Sequence, residues 1–440
     1  MSKVKTSLGM RLAIIGFLTF VLLIPSFMVM GLISDRQSTR SQAISEVSSK
    51  WGQSQQITGP LISIPYKEYL KDQNDKVVTV IKYAHFLPDE LSVDSEVEPE
   101  VRYRGIYEVV LYHSSIKVNA AFSFPDFESL NIPEDDLLLE DAFISLGISD
   151  MSGINDLIYF NWNSSKLEAS PGIKTNDVLG SGISSPIPLS KNENSYRFAA
   201  TIDLNGSETL SFSPIGKETK AKVSANWGDP SFTGNFLPDS REINEAEGTF
   251  SAEWKILHLN RNFPQRWVGS GYNINYTNFG VNFFQPVDQY QQTMRTAKYA
   301  IMFIAMTFLA FFLIELLNKK VLHPIQYLLI GFALLVFYTL LLSFSEHMTF
   351  QNAYWLSSLG IIGLITAYTR SVLGDKLQTI VIAGVLLLLY GYLYIVLQLE
   401  DFALLMGSLM LFIVLSVVMY LTRKIDWFNI MKADTGQFKK

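Results

Sequence analysis

The chain contains no cysteine and only five histidines in 440 residues. Without cysteine there are no disulfides and no thiolate metal sites, so any exported part must be held by its own core. The histidines, His85, His113, His258, His323 and His347, include no H-x-H or H-x-x-x-H pair, so the usual zinc-ligand spacing is also missing. Nucleotide motifs are lacking too: Gly180-Ser-Gly182 and Gly269-Ser-Gly271 have no third glycine, and no phosphate loop ends in Gly-Lys-Ser/Thr. There is no G-x-S-x-G elbow. No cofactor is expected, and the chain is read as a non-enzyme.

Charge is scarce as well, at 17% against 48% hydrophobic residues, and the scarcity is concentrated. Leu12–Leu32, Tyr327–Ser345, Tyr354–Thr369, Ile380–Gln398 and Phe402–Thr422 have no charged residue, and Tyr299–Leu317 has one, Glu315. At 1.5 Å per helical residue such runs match a hydrocarbon core of roughly 30 Å. Six transmembrane helices are therefore predicted. The first is read as a retained anchor because its apolar stretch exceeds a signal-peptide core and no A-x-A-like cleavage site follows it.

Basic residues set the orientation. Lys3, Lys5 and Arg11 precede the first span, Lys319 and Lys320 follow the second, Arg370 and Lys376 lie between the fourth and fifth, and Arg423 and Lys424 follow the sixth. The loops 346–353 and 399–401 have neither Lys nor Arg. The positive-inside rule then puts both termini in the cytoplasm and residues 34–297 in the periplasm of a bacterial inner membrane. Residues 33–297 hold 34 acidic and 22 basic side chains, which disfavours nucleic acid and direct docking on anionic lipid.

The expected domains are a cytoplasmic N-terminus with the first helix (1–33), a helical stalk (34–53), a periplasmic β-rich domain (54–297), a five-helix bundle (298–424) and a cytoplasmic tail (425–440). Within the β-rich region the apolar period is two. Residues 106–122 read as a hairpin turning near Ser114 and Ser115. In 197–212, a three-residue loop at 205–207 would pair Ile202 with Leu210 and Ala200 with Phe212. The whole reads as a mainly antiparallel, sandwich-like domain, with 172–194 as either an internal boundary or a long surface loop.

Span midplanes near Phe308, Leu335, Ile361 and Leu388 are apolar, which makes a coupled transporter the weaker membrane reading. Glu315 lies about a turn from Lys319, so a span-end ion pair explains it. Gly363 with Ala367, and Ala403 with Gly407, are small-xxx-small pairs suited to close helix packing. Tyr390, Tyr392, Tyr394 and Trp355 read as interfacial anchors.

The stretch SFSEHMTF (343–350) places Glu346 and His347 just past the third span. With Asp288, Glu400 and Asp401 on the same side, these form a candidate polar rim. Histidine is the side-chain type whose charge changes nearest neutral pH.

The stretches WGQSQQITGPLISIPY (51–66), SANWGDPSFTGNFLPDSREI (224–243) and FSAEWKILHLNRNFPQRW (250–267) resemble the CreD family of inner-membrane proteins. The polar words QPVDQY (285–290), SEHM (345–348) and LQLED (397–401) make the resemblance specific, while 70–200 matches weakly. It implies an inner-membrane protein of cell-envelope integrity, under an envelope-stress system and associated with tolerance to some colicins and β-lactam response. It implies no reaction and assigns no active site. Contact with membrane lipid and with a periplasmic protein, glycan or lipid partner is expected, the β domain acting as a binding or scaffolding module. The alternative is a lipid or small-solute transporter with a periplasmic gating domain. Oligomeric state stays open.

Overall fold

A computed structural model describes residues 8–71, 75–283, 289–318, 322–399 and 402–423. The chain divides into two compact units: Met1–Arg40 with Val287–Lys440, which is helical, and Ser41–Pro286, which is built mainly from strands.

The helices are α1 (Leu8–Val21), α2 (Leu23–Trp51), α3 (Gln289–Lys298), α4 (Ala300–Asn318), α5 (Pro324–Ser345), α6 (Phe350–Leu373), α7 (Lys376–Gln398) and α8 (Ala403–Thr422). Each break has a local cause. Pro25 has no N–H for the Val21 carbonyl, and α1 gives way to α2 there. Between α3 and α4 the axis bends by 44°. The hydroxyls of Thr293 and Thr296 donate to the Gln289 and Gln292 carbonyls at 2.7 Å, a back-bonding that bends helices. His323 caps α5, whose first residue is Pro324, and Asp375 caps α7 by accepting the Leu377 N–H at 2.9 Å.

Among the described residues, five helices are long and apolar enough to cross a membrane when α1 and α2 count as one, and six if the bent α3–α4 pair is one span. No other helix among the described residues packs closely at the glycines of the two small-residue pairs. A Cβ added at Gly363 or Gly407 would meet nothing within 4 Å, whereas one at Gly331 on α5 would sit 2.2 Å from the Leu22 side chain. Gly331 lets α5 approach the α1–α2 break.

The strands are β1 (Gln55–Lys71), β2 (Val77–Phe86), β3 (Glu90–Arg104), β4 (Tyr107–Ser123), β5 (Phe143–Ile148), β6 (Tyr159–Trp162), β7 (Ser165–Glu168), β8 (Ser170–Pro171), β9 (Gly182–Pro186), β10 (Ser195–Ser207), β11 (Thr209–Phe212), β12 (Glu218–Ala225), β13 (Ser231–Gly234), β14 (Ser240–Asn244), β15 (Thr249–Leu257), β16 (Arg266–Val268) and β17 (Phe279–Asn282). One sheet runs β13-β17-β11-β1-β5-β9-β8, with β2 on β1 and β16 on β2; the other runs β14-β15-β12-β3-β4-β10-β6-β7. Pairing is antiparallel except between β1 and β11 and between β3 and β12, so the sheets are mixed. Alternation shows why they stack: on β12, Thr219, Ala221 and Val223 are buried while Lys220 and Lys222 are exposed. The buried sides of both sheets share one apolar core.

Both expected hairpins are corrected. Residues 107–123 form a single strand, β4, with no turn at Ser114–Ser115; Ser114 is buried and donates to the Leu204 carbonyl at 2.9 Å. Ile202 pairs with Ile116 and Ala200 with Val118, while Leu210 pairs with Gln55 and Val281. The chain changes sheets at Glu208, whose φ is 58°, so β10 and β11 never pair with each other. Gly206 serves a different purpose: a Cβ there would meet the Tyr112 hydroxyl at 2.3 Å. Residues 172–194 are no boundary, since β9 within them pairs with β5.

The end of α2 is seated on the β unit. The Trp51 indole donates to the Tyr112 carbonyl at 3.2 Å, Arg102 lies 4.4 Å over its ring, and Arg104 pairs with Glu46 at 3.1 Å. The next turn is fixed by Asp150, which accepts the Gln53 N–H at 2.8 Å and the Ser152 N–H at 3.0 Å. Burial raises the Asp150 pKa, but these bonds outweigh it and hold the carboxyl below the usual range.

Candidate functional site

In the helical unit, the rim candidate Glu346 sits at the C-terminus of α5, where the helix dipole disfavours an acid. Two groups offset that cost. The Tyr290 hydroxyl of α3 donates to Glu346 Oε1 at 3.1 Å, and Arg36 Nε of α2 lies 3.6 Å from the same oxygen. The Glu346 side chain is only 10% exposed. His347 is exposed, its backbone N–H bonded to the Phe344 carbonyl at 3.0 Å. Asp288, Glu400 and Asp401 lie outside the described residues. Sequence reasoning missed Arg36 and Tyr290; the signal was an acid at a helix C-terminus, which calls for a cation.

Glu315, expected to pair with Lys319, has two partners among the described residues. It is 5% exposed and accepts from Arg11 of α1 at 3.0 Å and from the Tyr327 hydroxyl of α5 at 3.0 Å. Lys319 lies outside the described residues. An arginine and a tyrosine from two other helices thus bind the one acid of this span.

Between these groups, α5, α6 and α7 bury Tyr338, Tyr354 and Tyr390 around Phe337, whose ring meets theirs edge-on at 4.8–5.6 Å. The Tyr354 hydroxyl donates to the Tyr390 carbonyl at 2.6 Å. Tyr390 is therefore an interior residue and not an interfacial anchor, because its side of α7 faces the other helices. The buried hydroxyls of Thr307 and Ser357 have no hydrogen-bond partner among the described residues.

In the β unit a Ser-His-Asp string occurs. Ser63 Oγ lies 2.9 Å from His85 Nδ1, and Asp177 Oδ2 lies 3.3 Å from Nε2. Ser63 is 1% exposed and His85 fully buried, with the Trp267 ring 5.7 Å away. Burial pushes the imidazole below its usual pKa, and Asp177 only partly restores it. A hydroxyl closed to solvent cannot meet a substrate in this arrangement, so the string satisfies buried polar atoms. Among the described residues no three His, Cys, Asp or Glu side chains gather as metal ligands.

The outer face of the second sheet carries a groove of about 570 Å³. Two cross-strand rows build it. Lys220, Ser92, Asn119, Ala199 and Asn161 lie side by side on β12, β3, β4, β10 and β6; next to them run Glu218, Glu90, Ala121 and Arg197. Ser92, Ala121 and Ala199 are short, so the floor is low between longer walls. The groove lies on β3 about ten residues, or about 34 Å, from Arg102 and the seat of α2. Its amides, guanidinium and carboxylates offer donors and acceptors together.

The chain matches the family described as Inner membrane protein CreD over residues 7–428. The chain belongs to the CreD family. It is 35% identical over 417 residues to the Inner membrane protein CreD of Escherichia coli (strain K12), covering 93% of this chain and 91% of that protein. The match takes in both units, including the 70–200 stretch where the resemblance of individual words is weak. A CreD chain is an inner-membrane protein, and its apolar helices contact lipid.

Proposed function

We propose that this CreD chain maintains cell-envelope integrity from the inner membrane without catalysis, its β unit acting as a periplasmic binding or scaffolding module. Both termini then lie in the cytoplasm, in keeping with Arg11, Arg370, Lys376 and Arg423 beside the spans. The observation that supports the reading is the groove on the second sheet, which gathers Glu90, Asn119, Asn161, Arg197, Glu218 and Lys220 at the end of β3 remote from the stalk. Deletion of residues 54–290 tests the module as effector: an envelope-stress phenotype still fully complemented by the deleted chain sinks it. Arg197→Ala with Lys220→Ala tests the groove, with loss of complementation at normal membrane abundance expected.

A second reading, a lipid or small-solute transporter gated by the β unit, is favoured by the buried hydroxyls of Thr307 and Ser357, which have no partner among the described residues. Under that reading Ser357→Ala changes solute or lipid movement in proteoliposomes; under the first it leaves complementation intact.

A further inference from the structure

The β1–β2 hairpin extends beyond the rest of its sheet. β16 pairs with β2 only at residues 84–86, and β5 pairs with β1 only up to Ser63, so among the described residues 67–71 and 77–82 form a two-stranded ribbon. Such a ribbon is marginal alone, yet this one exposes large apolar side chains. Tyr69 is 56% exposed, Val77 65%, and Leu70, Val78, Val80 and Ile81 between 36% and 45%.

The two edges differ. On β1 the sequence Lys67-Glu68-Tyr69-Leu70-Lys71 carries charges of the kind that guard exposed edges. On β2 the run Val77-Val78-Thr79-Val80-Ile81 has none, is wholly β-branched, and lies on a strand whose outer side pairs with nothing described there.

We propose that this edge of β2 pairs with the same edge of a second copy of the chain, antiparallel about a two-fold axis at Thr79. The run is self-complementary in that register: Val77 meets Ile81, Val78 meets Val80, and the two threonines meet each other. Two marginal ribbons become one four-stranded sheet. Charge does not oppose it, because Lys82, which falls opposite Lys76 of the second copy, is already paired with Glu68.

The absence of cysteine gives a clean test on the full-length chain in detergent micelles. Thr79→Cys supplies the sole thiol, and copper-phenanthroline oxidation followed by non-reducing electrophoresis reads the pairing. A held pair raises local thiol concentration to about millimolar, so Thr79→Cys is expected to form dimer at least roughly tenfold faster than Glu245→Cys, an exposed control. Light scattering on the unsubstituted chain is expected to give a two-copy mass, and on Val80→Lys a one-copy mass. A one-copy mass for the unsubstituted chain, with Thr79→Cys no faster than the control, overturns the proposal. So does a single-copy chain whose dye-labelled Thr79→Cys becomes shielded on phosphatidylglycerol vesicles, which assigns the ribbon to lipid.

Discussion

Arg11 and Glu315, 304 positions apart in the chain, meet at 3.0 Å, with Glu315 almost wholly buried and also accepting from Tyr327. Removing one partner of a buried pair leaves an uncompensated charge and costs roughly 3 kcal/mol, while replacing both with apolar groups is near neutral. Arg11→Met is therefore expected to lower thermal stability in detergent clearly, and Arg11→Met with Glu315→Leu to restore most of it. Equal losses in the single and double variants would show that the pair does not hold α1 to the bundle.

At the end of α5, Tyr290→Phe removes one hydrogen bond from Glu346 and is expected to cost about 1 kcal/mol. Arg36→Gln is expected to cost less, because the pair is longer and Arg36 is about half exposed. His347→Gln should leave complementation unchanged in acidic and neutral medium, since the histidine is exposed. A pH-dependent defect in that variant would restore His347 to a functional role.

His85 is expected to make the β unit acid-sensitive. Its folded pKa lies below the model-peptide 6.5, so the unfolded chain takes up the proton first. The neutral ring's contribution is fully present above about pH 6.5 and is lost as pH falls through that value toward the folded pKa. Urea titrations between pH 7.5 and 5 should show this loss, and a His85→Gln variant should show a smaller slope with pH. An unchanged slope would place the acid sensitivity elsewhere.

Gly206→Ala puts a methyl group against the Tyr112 ring, whose hydroxyl donates to the Thr209 carbonyl at 2.8 Å in a fully buried site. Overpacking of this kind costs about 1–3 kcal/mol. Tyr112→Leu combined with Gly206→Ala should cost less than the sum of the two single changes, because the same contact is lost in both. Strict additivity would mean that the glycine is needed for the backbone and not for the ring.

Much of the helical unit was legible because its signal is local. α5, α6 and α7 contain the charge-free runs 327–345, 354–369 and 380–398, with a few residues added at either end by the caps His323, Asp375 and Gly374. Alternation likewise marked Phe198, Ala200, Ile202 and Leu204 of β10 and Leu210 and Phe212 of β11 as buried, though on β11 Ser211 between them is buried as well. What it could not supply was partners: Ile202 and Leu210 are both buried, yet they belong to different sheets. A period of two says which side of a strand is apolar and nothing about which strand lies beside it.

The candidate site divides the same way. Glu346 and His347 stood out as an acid and a base ending an apolar run, but Tyr290 and Arg36 carry no local mark that ties them to Glu346. The charge-free runs and the apolar period of two determined by themselves that this is a helical membrane protein with a β-rich insert. Tertiary structure alone decided that Arg11 neutralises Glu315, that Tyr390 packs inward, that Gly206 receives Tyr112 and that β2 keeps an apolar edge open among the described residues. Each of these depends on contacts between segments far apart in sequence, which the closing of loops brings together and no local pattern records.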